Sequence, residues 1–197
     1  AGLTPAAKPH IALSIGEPKH PPPSFVVNHL IEQLGGLSNY PTTKGLPQLR
    51  SAMAQWANTR FNLHSQPLDP ERHILPVAGT REALFSFIQA AAVPNSKGKI
   101  LMPNPFYQIY EGAALLAGCQ PVFLNCTSES NFLPDFDGIS SDTWRDCQVL
   151  FICSPGNPTG KIIPLATLQK LIALADEYKF IIASDECYSE LYYSEKP

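Results

Sequence analysis

The chain has 197 residues, 44% of them hydrophobic and 16% charged, and a formal charge of −3. That length can bury roughly 70% of the unfolded surface, and the composition is that of a folded globular protein rather than a disordered one. There is no basic block and no interleaving of aromatic with basic residues, which argues against a nucleic-acid partner, and no apolar run approaches the ~18 residues of a membrane span.

Five cysteines (Cys119, Cys126, Cys147, Cys153, Cys187) form no CxxC pair and are odd in number. Neither a disulfide framework nor a structural zinc site is expected, and reduced thiols in a cytoplasmic protein without a secretion signal are the expectation. Twelve of the twenty prolines cluster at 18–23, 41–47, 94–105 and 155–164, marking loops of the kind on which sites are built.

In chain order, Ile11–Ile15 is a short apolar stretch closed by Gly16, Glu17 and Pro18. Ser24 is placed to cap a helix over Phe25–Leu34 that Gly35 and Gly36 end. After the loop around Tyr40 a second helix is expected, with Leu46, Leu49, Met53, Trp56 and Ala57 on one apolar face. From there short apolar runs alternate with amphipathic ones. Strands are expected at Ile74–Val77, Lys99–Met102, Pro121–Asn125, Val149–Cys153 and Phe180–Ser184, and helices at Thr80–Ala92, Tyr107–Ala117 and Leu165–Tyr178, the last with Pro164 in its first turn. Residues 126–147 read as a polar connection. Continuously apolar strands separated by helices imply an α/β fold with a doubly wound, mostly parallel sheet covered on both faces. The first 35 residues do not share this rhythm and are expected to be part of a small domain, with 36–197 forming the large one.

Ligands in such sheets bind at the carboxyl ends of the strands, and four segments there carry chemistry. Gly79, Thr80 and Arg81 open a helix after a strand, where free amides and the helix dipole suit a phosphate, although Thr80 could equally serve as a helix cap. Tyr107, in a Pro-framed turn, offers a flat face for stacking on a planar ring or for ordinary packing. Ser154–Gly160 is a Pro/Gly turn that fixes Asn157, with Asn157–Pro158 suited to a cis bond. Its Gly156–Lys161 spacing is one residue short of a P-loop, and no nucleotide site is expected there. Asp185 follows the last expected strand, Phe180–Ser184, with Tyr188 three residues on. A buried carboxylate there needs a partner, such as the protonated nitrogen of a pyridinium cofactor or an arginine, although an Asp here could equally cap the next turn.

Taken in order, these segments resemble the class I/II aminotransferases of pyridoxal 5'-phosphate (PLP) fold type I. The resemblance runs from Ile15-Gly16-Glu17-Pro18 through Tyr40 and Gly45-Leu46-Pro47-Gln48-Leu49-Arg50 to Asp185-Glu186-Cys187-Tyr188. It implies PLP as cofactor, with its phosphate on Gly79, Thr80 and Arg81, Tyr107 stacked on its ring, Asn157 and Tyr188 on its phenolic oxygen, and Asp185 on its ring nitrogen. Asp185 and Tyr188 would be the groups closest to the chemistry. Gly16 and Asn157 would lie beside the substrate carboxylate. Tyr40 would reach the phosphate of a neighbouring subunit, which implies a homodimer acting on an amino acid and a 2-oxo acid. The loop Ser14–His20 further resembles bacterial N-succinyldiaminopimelate aminotransferases of lysine biosynthesis.

The family also uses a Schiff-base lysine in a Ser-x-Ser-Lys motif beyond the Asp…Tyr pair, and a later arginine for the substrate carboxylate. Neither is in this chain. Lys97, Lys99 and Lys161 sit in the wrong places, so the chain is expected to be a truncated piece, inactive alone, of a longer enzyme. A PLP-fold sensor module and a PLP-dependent β-lyase or decarboxylase are the other readings the same residues admit.

Overall fold

A computed structural model describes residues 11–193 apart from 13, 14, 17, 95 and 96. Four strands, β1 (Lys99–Asn104), β2 (Gln120–Asn125), β3 (Cys147–Cys153) and β4 (Ile181–Asp185), form one parallel sheet in the order β2-β1-β3-β4. The helices are α1 (Ser24–Glu32), α2 (Pro47–Arg60), α3 (Thr80–Ala91), α4 (Ile109–Leu116), α5 (Ser141–Asp146) and α6 (Leu165–Tyr178), with a 3-10 turn at Leu34–Ser38.

Side chains alternate across the sheet and build two cores. Ile100 and Met102 of β1 and Val149 and Phe151 of β3 pack with Ile88 of α3 and Tyr110, Ala113 and Ala114 of α4. On the other face Leu101, Leu150 and Ile152 pack with Trp144 of α5, Leu171 of α6 and Phe180. Each fully buried large apolar side chain contributes about 1.5–3 kcal/mol. Helices on both faces of a parallel sheet make the doubly wound α/β fold that the strand pattern implies. From β1 the chain winds one way to β2, then returns past β1 to β3 and β4. The direction therefore reverses between β1 and β3, and the crevice at their carboxyl ends is where this fold holds ligands.

Several expectations are corrected. Ile74–Val77 is not a strand: it has no ladder partner among the described residues, and Leu75 and Val77 are exposed. An apolar run becomes a strand only when a neighbour supplies hydrogen bonds. Ser24 is the first helical residue of α1 rather than its cap, Pro23 stands at the N-cap, and the helix ends at Glu32. The apolar stripe on α2 is likewise not its buried face. Leu46, Leu49, Met53 and Trp56 are exposed, while Arg50 and Ala54 are buried. The connection at 126–147 contains α5, capped by the Ser140 hydroxyl, which accepts from the Thr143 amide. Pro164 precedes α6 as its N-cap instead of lying in its first turn.

Candidate cofactor site

The four expected segments converge at the carboxyl end of the sheet. Cys153 and Asp185 are register partners at the ends of β3 and β4, so the Asn157 turn and the Asp185–Tyr188 segment leave the sheet side by side. The Asn104–Pro105, Ser154–Pro155 and Asn157–Pro158 bonds are all cis, which includes the one expected.

Contacts between segments close a ring. The buried Tyr110 hydroxyl donates to Asp185 Oδ2 at 2.7 Å, and the Cys187 amide donates to Asp185 Oδ1 at 3.3 Å. The Cys187 thiol donates to Thr80 Oγ1 at 3.3 Å. The next residue, Arg81, places its guanidinium 5.7 Å from the centroid of the Tyr107 ring, a cation–π distance. Tyr107 meets Tyr110 edge-on at 6.0 Å, and Tyr110 stacks on Phe151 at 4.3 Å, which anchors the ring to β3. Thr80, Arg81, Tyr107 and Asp185 thus belong to one cluster.

Asp185 is 7% exposed, and among the described residues no lysine, arginine or histidine forms an ion pair with it. Among the described residues it accepts from the Tyr110 phenol and the Cys187 amide, with the Cys187 thiol also beside it. Burial first, and then the hydrogen bond to Asp185 and its charge, push the Tyr110 phenol far above its ordinary value, which keeps it a donor. Burial likewise raises Cys153 to about 11, with Asp185 adding and the Asn157 amide opposing. Tyr188 is raised mainly by burial, with further contributions from Cys187, Cys153, Asp185 and Tyr107, which sets it beside the same cluster.

The helix opening beside the ring is uncapped by side chains. Gly79 is the N-cap of α3 with φ +104° and ψ 156°, and Thr80 is its first helical residue, so the hydroxyl bonds Cys187 instead of capping. That backbone region is open essentially only to glycine. The Ala78 amide is taken by Glu82 Oε2 at 2.8 Å.

Other expected residues are not drawn into the ring. Asn157 is exposed, with its amide toward Cys153. Tyr40 is 100% exposed on its loop and Gly16 is exposed, while Ser14 and Glu17 lie outside the described residues. Lys99 pairs with Asp146 at 3.0 Å and Lys161 donates to Asn131 at 3.0 Å, both away from Asp185. A cavity of about 1050 Å³ lies elsewhere, between β2, the 127–140 loop and the start of α6, and none of these residues lines it. Tyr110 and Cys187 are the ring members that the sequence did not single out. The one usable signal was Tyr110's place three residues after Tyr107, one turn along the helix expected over Tyr107–Ala117.

Comparison with known proteins accords with this geometry. The profile of aminotransferase class I and II matches residues 8–197. An LL-diaminopimelate aminotransferase of Halothermothrix orenii is 35% identical over 187 residues, covering 92% of this chain and 46% of that protein. A crystal structure of an aminotransferase from Neisseria meningitidis is 47% identical with a TM-score of 0.89, over 98% of this chain and 49% of that one. An aminotransferase structure from Helicobacter pylori is 32% identical with a TM-score of 0.84, over 94% and 48%. The chain spans about half the length of the relatives it matches. It belongs to the class I and II aminotransferases, a family that depends on pyridoxal phosphate.

Proposed function

We propose that this chain is the cofactor-binding part of an aminotransferase that moves an amino group between an amino acid and a 2-oxo acid in lysine biosynthesis. The observation that carries the reading is Asp185, a buried carboxylate at a strand end, held by Tyr110 and lacking a cationic partner among the described residues. Removing a lone carboxylate from water is costly, and a protonated ring nitrogen would offset that cost. The phosphate end of PLP finds matching chemistry at α3, where Gly79 turns the chain and no side chain caps the first-turn amides. These features support a fit to the group.

When bound, PLP supplies an electron sink for the charge that develops at the substrate Cα. The residues of this chain divide the remaining work. Asp185 holds a proton on the ring nitrogen, and Tyr110 holds Asp185. Gly79, Thr80 and Arg81 bind the phosphate, largely through backbone amides. Tyr107 stacks on the ring, and Asn157 and Tyr188 orient its phenolic oxygen. Gly16 and Asn157 lie beside the substrate carboxylate. The exposure of Tyr40 suits a residue given to the partner's site in a homodimer. On the same reading residues 1–35 belong with a small domain, 36–197 with the PLP-binding one, and the enzyme is cytoplasmic.

The names of the relatives favour LL-diaminopimelate as the amino acid. Its N-succinyl form rests on the Ser14–His20 loop, part of which is outside the described residues. The test is product analysis with the full-length enzyme, LL-diaminopimelate and a 2-oxo acid. Transfer of the amine to the 2-oxo acid, abolished in Asp185→Ala, is expected. Release of pyruvate and ammonia from a β-substituted amino acid such as a cysteine thioether, with no amine transfer from LL-diaminopimelate, would replace this reading with that of a β-lyase, and unchanged turnover in the variant would refute the role of Asp185.

A further inference from the structure

Arg50 is the other buried charged residue of the described chain, at 4% exposure, and the reading above gives it no work. It sits on α2, and its guanidinium reaches two segments far apart in sequence. Nη1 donates to the carbonyls of Lys44 at 3.2 Å and Gly45 at 2.7 Å, at the end of the loop that carries Tyr40. Nε donates to the Pro70 carbonyl at 3.2 Å, and Nη2 bonds the Glu71 carboxylate. Lys44 closes the group by pairing with the other Glu71 oxygen at 3.5 Å.

Both segments lead to phosphate-binding residues. Gly45, with φ +73°, lies so close to Pro76 that an added Cβ would come within 2.9 Å of its ring, and Pro76 is three residues before Gly79. The Tyr40 loop is itself tied, because the Thr42 hydroxyl donates to the Gly45 carbonyl at 3.1 Å and the Gly45 amide donates to Thr42 at 3.0 Å. Asn58, also on α2, holds the same approach, its Oδ1 accepting from the Leu68 amide at 2.7 Å. Residues 74–77 have no ladder partner among the described residues, so the contact of Pro76 with Gly45 bears on their course. A planar guanidinium with five donors can fix several carbonyls at once, which an ammonium cannot.

We propose that Arg50 is a positioning residue for the phosphate site: it sets the loop bearing Tyr40 and the 70–79 approach to Gly79 and Thr80 in one fixed relation. The proposal rests on the PLP reading above. In a homodimer it links a subunit's own phosphate cradle to the tyrosine that subunit lends its partner.

The experiment compares PLP with pyridoxal, which lacks the phosphate, as ligands of the full-length apoenzyme. Arg50→Lys keeps the charge and is expected to raise the dissociation constant of PLP on the order of tenfold, the equivalent of about 1.4 kcal/mol, while leaving that of pyridoxal within roughly twofold. Gly45→Ala disturbs the same joint from the Pro76 side and is expected to show the same selective loss, which keeps the test available if the Arg50 variant fails to fold. An equal loss for both ligands, or a lowered melting temperature with PLP affinity intact, marks a merely structural Arg50 and overturns the proposal alone. Wild-type enzyme that fails to bind PLP overturns the functional reading and the proposal together.

Discussion

Replacing Tyr110 by phenylalanine removes one oxygen and little else. The ring keeps its volume and its stack on Phe151 at 4.3 Å, but Asp185 Oδ2 loses the phenol that donates at 2.7 Å. Hydrogen bonds to charged groups contribute about 1.5–3 kcal/mol, and a buried acceptor left unsatisfied costs a similar amount. For an α/β domain of this size that is a fall of roughly 3–12 °C in melting temperature of the cofactor-free enzyme. The pH dependence makes the prediction specific. The folded-state pKa of Tyr110 is raised above its ordinary 10.0, so folded protein keeps the proton that the unfolded chain releases. Its contribution is complete below pH 10 and is lost as pH rises beyond. Unfolding free energies of wild type and Tyr110→Phe should therefore differ most at pH 8 and converge toward pH 11. A gap under ~0.5 kcal/mol at pH 8, or one unchanged at pH 11, would refute the assignment of Tyr110 as the donor that holds Asp185.

Further outcomes follow from the same geometry. Burial raises the Cys147 thiol to about 12 and Cys153 to about 11 from an ordinary 9.0, so stability should decline as pH rises from 9, and Cys147→Ala should flatten that decline in chemical denaturation. Thiol labelling at pH 8 should modify exposed Cys187 first, and PLP should slow it, because Cys187 touches Thr80 at 3.3 Å; labelling that PLP leaves unchanged counts against a phosphate beside Thr80. Gly79→Ala forces a side chain into φ +104° with nothing crowding it. The cost should be about 1–3 kcal/mol of strain, read as weaker PLP binding with the fold retained by circular dichroism.

The sheet was legible because its strands are short, continuously apolar runs, and burial on both faces requires that pattern. Residues 74–77 have the same pattern and form no strand, since periodicity reports apolarity and not the presence of a hydrogen-bonding neighbour. The α2 stripe failed for a related reason. Leu49, Met53 and Trp56 recur at helical spacing, yet the helix turns Arg50 inward, where backbone carbonyls satisfy it. α5 is six residues long, too short for any period to register, and only the Ser140 cap announces it. At the site, the residue types after each strand pointed to the chemistry one segment at a time. The bonds that join them, Tyr110 to Asp185 across 75 residues and Cys187 to Thr80 across 107, depend on which strands lie side by side. That adjacency is a property of the fold and is written in no local stretch of sequence.

The central claim is that Asp185 and the residues around it hold PLP. An absorbance titration of the full-length apoenzyme with PLP tests it most directly, comparing wild type with Asp185→Ala and with Glu186→Ala, an exposed neighbour. Saturable binding with a shifted near-visible band is expected for wild type and Glu186→Ala, with affinity lower by an order of magnitude or more and the band displaced in Asp185→Ala. Identical titrations for all three proteins would contradict the account.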